Sequence, residues 1–197
     1  IHHKDKFKKF CKKINLKTPR VFNKKYNYEY IKDNFDIYKL IIKPVDMGGG
    51  KGISIVNDKN SFKDAIKLAK KVSKSKNFVI EEYIEGSLHS LTTYIKNNKV
   101  VFFHHDNELI FENTFNVHSS FAPGTLSSTQ INFCIRQLER FSRKLQLVDG
   151  ILHAQIIANA KEIFIIEITR RCSGDLYPLP VELMNCVPWS KIIVKTL

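Results

Sequence analysis

An α+β fold built on largely antiparallel sheets is what this 197-residue sequence predicts. Three observations lead there. Apolar segments of strand character follow one another across short turns, which makes sequence neighbours antiparallel partners. Amphipathic helical stretches are separated by two or three such strands instead of alternating with them singly, which argues against a doubly wound parallel sheet. A composition of 43% hydrophobic and 26% charged residues supplies a core and excludes a disordered chain.

The elements follow in order. Residues 4–14 read as a basic amphipathic helix with Phe7, Phe10, Cys11 and Ile14 on one face. Asn15 to Pro19 ends it, and the stretch to Tyr38 is polar and tyrosine-rich. Tyr26, Tyr28, Tyr30 and Tyr38 lie among lysines, and a packed subdomain edge explains them better than a stacking surface for single strands. Leu40–Val45 is a short strand, Asp46–Gly52 a glycine-rich loop, and Ile53–Val56 the next strand. Ser61 is expected to cap a helix through Val72, with Phe62, Ala65, Ile66 and Ala69 inward. Phe78–Ile84 is strand-like. Leu91–Ile95 and Val100–Phe103 form a hairpin about Asn97-Asn98.

Residues 104–127 read as loop. A helix then starts at Ser128 or Thr129, with Ile131, Cys134, Leu138, Phe141 and Leu145 inward and Glu139–Arg143 as a surface pair. Ile151–Ala158 and Ile163–Ile168 make a second hairpin, Arg170–Pro180 a loop, and 181–197 begin a helix.

Net charge is +13, which invites a nucleic-acid reading, but its placement is uneven. Residues 1–76 hold 21 basic and 7 acidic side chains, and residues 77–197 hold 11 and 12. Of the 32 cations 26 are lysine, as in a lysine-, isoleucine- and asparagine-rich sequence generally, so most are read as solvated surface. No apolar run approaches the roughly 18–20 residues of a membrane span, and a cytoplasmic protein is expected. Cys11, Cys134, Cys172 and Cys186 are widely spaced, without a CxxC pair, which argues against a zinc site or a disulfide framework. His104, His105, Asp106 and His118 also lack zinc-ligand spacing.

Four constellations carry chemistry. Lys43 sits inside an apolar strand, where it must reach water or meet a buried anion. The glycines of Gly48–Gly52, with Lys51, can bring backbone N–H groups around phosphate oxygens. Phe78–Ile84 runs into Glu81 and Glu82, which are either a solvated strand end or a linker that reads an adenine edge. In the last hairpin, a three-residue turn at Ala160–Glu162 would set Gln155 opposite Glu167 and His153 opposite Thr169. Side chains so opposed have Cβ atoms about 4.5–5.5 Å apart, and two oxygen donors at that spacing can share Mg²⁺. Arg170 and Arg171 follow as anion donors, Arg170 being read as the solvent-facing one.

The ordered set IIKP (41–44), EEYIEG (81–86) and EITRR (167–171) resembles the ATP-grasp superfamily of carboxylate–amine ligases, which includes biotin carboxylase, D-alanine–D-alanine ligase and carbamoyl phosphate synthetase. The resemblance implies an ATP-grasp fold over residues 1–197, in which two lobes clasp ATP. The first would cover about 20–90, with the glycine-rich loop, and the second about 91–197, with the metal hairpin. It implies ATP and Mg²⁺ (or Mn²⁺) as cofactors and small-molecule carboxylate and amine partners, with homo-oligomers left open. Lys43 matches the lysine on the α- and β-phosphates, and the early phosphate lysine falls on Lys4, with Lys6 as the alternate. Gly49, Gly50, Lys51 and Gly52 match the loop over the triphosphate. Glu81 matches the acceptor of the adenine amino group, and Glu82, Tyr83 and Ile84 the linker, with Glu82 and Ile84 at its backbone contacts. Gln155 and Glu167 match the metal ligands, and Arg171 the arginine at the transferred phosphoryl.

Two positions depart from the pattern. Leu88 replaces a ribose-binding glutamate, for which His89 could substitute, and Thr169 replaces a ligating asparagine. A preceding domain of the family has no counterpart in the sequence, so the C-terminal part of a longer enzyme is expected, incomplete or inactive by itself. Gly174-Asp175 would line an acceptor pocket or turn the chain. The readings set against a ligase are an ATP-binding fragment without catalysis and, more remotely, a basic nucleic-acid-binding module.

Overall fold

The computed structural model describes residues 3–111, 114–171, 179, 182–183 and 186–194; Cys172, Gly174 and Asp175 lie outside them. The chain forms two compact units, the first of Ile1–Lys13, Thr18–Glu85 and Ile110–Val117, the second of Ile14–Lys17, Gly86–Leu109 and His118–Leu197.

The first unit holds α1 (Lys4–Lys13), β1 (Val21–Phe22), α2 (Tyr28–Phe35), β2 (Leu40–Pro44), β3 (Ser54–Val56), α3 (Lys59–Val72) and β4 (Phe78–Glu82). Its strands form an antiparallel sheet in the order β1-β4-β2-β3. Strand alternation splits this sheet into two unlike faces. Leu40, Ile42, Phe78 and Ile80 share the core with Phe22, Val56, Tyr28 and Ile31 and with Phe62, Ala65 and Ala69 of α3. Ile41, Lys43, Val79 and Glu81 alternate with them onto the other face, and α1 packs against β4.

Two corrections concern local chemistry. The polar, tyrosine-rich stretch contains β1 and α2, whose buried face is only Tyr28 and Ile31. Asn27 caps α2 by accepting from Tyr30 N–H at 2.8 Å. Tyr28 Oη donates to Tyr38 O at 2.9 Å, and Tyr26 stacks 4.4 Å from Tyr30. Helix α3 starts earlier than Ser61. Asp58 is its cap, accepting from Asn60 and Ser61 N–H at 2.8 and 2.9 Å, and Ser61 returns a bond to Asp58 N–H as the third residue of a capping box.

The second unit holds β5 (Ser87–Lys96), β6 (Lys99–Ile110), β7 (Val117–Phe121), α4 (Ser128–Leu145), β8 (Gly150–Ala158), β9 (Ile163–Thr169) and α5 (Trp189–Val194). The sheet order is β7-β6-β5-β8-β9, with β5–β6, β5–β8 and β8–β9 antiparallel. Asn97 and Asn98 both take positive φ, 50° and 61°, as a two-residue hairpin turn requires. The region read as loop from 104 carries the rest of β6 and all of β7. Ser127 caps α4, one residue before the expected start, in a capping box with Gln130. Glu139 bonds Lys99 Nζ at 3.0 Å and Val100 N–H at 3.1 Å, so it ties α4 to β6 instead of pairing with Arg143. Trp189 of α5 packs edge-on against Phe102, ring centroids 4.7 Å apart. No helix among the described residues is long and apolar enough to cross a membrane.

Candidate functional site

Lys43 meets a buried anion. Its strand β2 runs between β4 and β3, and Lys43 Nζ donates to Glu81 Oε2 at 2.9 Å. Glu81 is fully buried, and a second ammonium, Lys8 Nζ, lies 3.2 Å from the same oxygen. Burial alone would push the Glu81 carboxyl up; the charges of Lys43 and Lys8, with the Lys43 hydrogen bond, outweigh it and hold it below the ordinary range. The Lys8 ammonium is pulled down by burial and by the like charge of Lys43, against the opposing pull of Glu81. Glu81 Oε1 has no hydrogen-bond partner among the described residues. A buried carboxylate with two cations on one oxygen and nothing on the other is poised to accept one more donor.

Lys8 was not singled out in the sequence. It follows Phe7 and stands one turn from Lys4 and Cys11, so helical spacing places it on the edge of the buried face. Lys4 lies on the same side of α1 and donates from Nζ to Met47 O, while its N–H reaches Val45 O at 2.9 Å. Lys6 is exposed.

Gly49, Gly50 and Gly52 take φ of 60°, 70° and 72°. A Cβ on Gly50 would stand 2.9 Å from Phe115, and one on Gly52 2.9 Å from Pro44 Cγ, so the unit's own packing demands both glycines. Gly48 is different: a Cβ there meets nothing within 4 Å. Lys51 is exposed, and the Ile53 N–H closes the loop on Gly50 O at 3.2 Å. Along the linker, Glu82 N–H donates to Arg20 O at 2.9 Å and Tyr83 N–H to Lys39 O at 3.1 Å; Ile84 is half-buried.

In the second unit the expected register appears by a different route. Ala158 pairs with Ile163, so the turn spans 159–162, one residue more than expected. A bulge then shifts the ladder between Gln155 and Ile156, and Gln155 falls opposite Glu167 and His153 opposite Thr169. Across β5 and β6 the same face continues through Ser90 and Asp106, and through Thr92 and His104. Hydrogen bonds tie this polar face together. Thr92 Oγ1 bonds His153 Nδ1 at 2.9 Å, Ser90 Oγ donates to Asp106 Oδ2 at 2.7 Å, and Gln155 Nε2 donates to Glu108 Oε2 at 3.0 Å. Glu108 lies on β6, in the stretch expected to be loop.

Glu167 is exposed, so the cost of a buried unpaired carboxylate does not arise there. Thr169 Oγ1 is buried without a hydrogen-bond partner among the described residues. No cluster of three or more His, Cys, Asp or Glu among the described residues is placed to hold a metal. The row therefore offers a mixed set of hard oxygens (amide, carboxylate and hydroxyl), a set that suits Mg²⁺ and fits the orphaned Thr169 hydroxyl.

His89 is not part of this row. Alternation along β5 turns it to the opposite face, where it is buried and Nε2 bonds Ser87 Oγ at 2.7 Å. Burial lowers its ring pKa, and the nearby His105 adds to this against the pull of Asn107. Leu88, on the row's face, leaves no polar group at the position where a ribose ligand was sought. Arg170 bonds Val148 O at 2.7 Å and Asp149 O at 3.1 Å and so ties down the start of β8, whereas Arg171 is exposed.

A sequence model of the ATP-grasp domain matches residues 1–175. The chain belongs to the ATP-grasp family. This ATP-grasp chain is 26% identical over 179 residues, 86% of its length, to the carbamoyl phosphate synthase large chain of Thermoanaerobacter sp., of which that match covers 16%. It is 32% identical over 98 residues, 50% of its length, to D-alanine–D-alanine ligase of Fusobacterium nucleatum, covering 29% of that protein. Among solved structures, a biotin carboxylase–β-γ-ATP complex from Campylobacter jejuni covers 100% of the chain at a TM-score of 0.80 and 14% identity. At that identity the likeness is one of fold, and the chain spans 46% of that structure.

Proposed function

We propose that this ATP-grasp chain binds ATP with Mg²⁺ or Mn²⁺ and serves an ADP-forming ligase that joins a carboxylate to an amine. The observation that carries the reading is the buried Glu81, held ionised by Lys43 and Lys8, with Oε1 unpartnered. That oxygen suits the amino group of adenine, and the excess of cations over anions suits a polyphosphate. In this reading Lys43 and Lys4 contact phosphates, with Gly49, Gly50, Lys51 and Gly52 closing over them. Glu82, Tyr83 and Ile84 border the base. Gln155, Glu167 and Thr169 would hold the cation, which supplies charge neutralisation at the phosphates.

The relatives named above support ligation as the class of reaction, and the steps proposed for it are these. A substrate carboxylate oxygen attacks the γ-phosphorus, and the bond to the β-phosphate oxygen breaks to release ADP. An amine nitrogen then attacks the acylphosphate carbon, phosphate leaves and the amine gives up a proton. The chain's residues position and neutralise; Arg171 would face the transferred phosphoryl. His89 is dropped from the nucleotide set because it lies on the wrong face. A cytoplasmic setting accords with this chemistry. A second reading, nucleotide binding without turnover, is favoured by the three proposed ligands, of which Gln155 and Thr169 carry no carboxylate and Glu167 does.

Thermal denaturation with and without Mg-ATP tests the first step, and ADP release with panels of carboxylates and amines tests the second. Stabilisation by Mg-ATP with substrate-dependent ADP release is expected. Binding with no ADP release under any pair would select the second reading. No response to Mg-ATP, with tight and salt-sensitive binding to oligonucleotides, would overturn both.

A further inference from the structure

We infer that Glu108 is a positioning residue for the cation, acting through Gln155; this rests on the Mg-ATP reading above. Gln155 stands where the sequence pattern places a metal ligand, yet an amide has only one ligating atom, Oε1, and no charge. Its orientation therefore decides whether the position can ligate at all.

The geometry settles that orientation. Glu108 on β6 and Gln155 on β8 flank β5 on one face of the sheet, two strand spacings apart and two residues out of line along the strands, about 12 Å between backbones. Glu108 is the partner of Leu88 and Gln155 the partner of Ser90, so the two long side chains meet diagonally over β5, and the Ser90 hydroxyl is drawn aside to Asp106. Glu108 is buried, 8% exposed, and accepts from Gln155 Nε2 at 3.0 Å. The bond is donated by the amide, so the edge that faces Glu108 is the NH₂. Oε1 is then on the edge away from Glu108, on the side of β9, where Glu167 is the directly opposed residue and Thr169 the next on that face. Outer-shell partners of this kind orient ligands and tune the metal.

The test is ATP affinity, measured by titration calorimetry in Mg²⁺ and in EDTA, for the parent chain, Glu108→Gln, Gln155→Glu and the double swap Gln155→Glu/Glu108→Gln. The ratio of the two affinities reads the cation's contribution, and the affinity in EDTA is an internal reference for an intact nucleotide site. Glu108→Gln is expected to reduce the Mg²⁺ enhancement about 10- to 100-fold without moving the EDTA value. Gln155→Glu alone sets two carboxylates against each other and should also lose enhancement. The double swap exchanges the roles of ligand and supporter, keeps the charge and should restore it. An unchanged enhancement in Glu108→Gln, a fall in its EDTA affinity, or no rescue by the swap would overturn the inference. Parent binding that is equal in Mg²⁺ and EDTA would overturn it while leaving nucleotide binding standing. No ATP binding by the parent would overturn the proposed function itself.

Discussion

Replacing Lys8 with methionine tests whether the buried cluster is built as described. Lys8 is 5% exposed and Glu81 fully buried, and their contact is 3.2 Å. Removing one partner of a buried ion pair costs about 3–5 kcal/mol, because the other charge is left without its counterion. Two features of the cluster place Lys8→Met near the low end. Lys43 stays 2.9 Å from the carboxylate, and methionine preserves most of the packing of the lysine stem. A loss of about 3 kcal/mol corresponds to a fall in Tm of about 6–12 °C for a chain of this size. Differential scanning calorimetry of parent, Lys8→Met and Lys6→Met measures it, the exposed Lys6 serving as the control expected within about 0.5 kcal/mol of parent. If Lys8→Met melted with the parent or above it, the desolvation of Lys8 would cancel its attraction to Glu81. Lys8 would then contribute nothing to the fold.

Three other outcomes are expected. Gly50→Ala, at positive φ and 2.9 Å from Phe115, should destabilise by more than the roughly 0.4–1 kcal/mol that Gly48→Ala can gain in open space, as urea midpoints would show. Because Gly48→Ala leaves the fold intact, any loss of ATP affinity in it reports contact with the nucleotide. Cys11 and Cys134 are buried, and desolvation raises both thiols to about 12, so iodoacetamide near neutral pH should spare them while labelling the exposed Cys186; mass spectrometry of the alkylated peptides checks this. Glu81 titrates below its unfolded value, so its contribution is complete above the ordinary glutamate range and is lost as pH falls through the depressed folded value. The urea midpoint should therefore drop on acidification, and by less in Glu81→Gln.

How far the sequence showed this molecule depends on what kind of signal each feature leaves. Helix α4 was legible because Ile131, Cys134, Leu138 and Phe141 keep strict helical spacing, and all four are buried. Helix α2 was not, because it buries one aliphatic residue and one tyrosine whose hydroxyl needs Tyr38 O, a partner no periodicity reveals. The register of Gln155 and Glu167 came out as expected although the turn was misjudged, since a bulge in β9 offsets the longer turn. That cancellation depends on backbone geometry that residue types do not encode. Lys43 stood out as a charge within an apolar strand. Lys8 was hidden among the other lysines of α1, of which only the fold selects one for burial. Glu108 was lost for a similar reason, its strand being taken for a loop. Leu88 holds the position of the ribose-binding glutamate, and alternation along β5 sends it, not its substitute His89, to the face that carries Gln155.

Calorimetric titration of the parent chain and of Lys43→Ala with ATP in Mg²⁺ is the most direct measurement of the central claim, that the Lys43–Glu81–Lys8 cluster receives a nucleotide. The parent should bind one ATP saturably, and Lys43→Ala should bind none at the same concentrations. Glu167→Gln, measured alongside, should still bind ATP, with its Mg²⁺ enhancement reduced at least as far as in Glu108→Gln. Lys43→Ala binding as tightly as the parent, or a parent that shows no saturable heat, would contradict it.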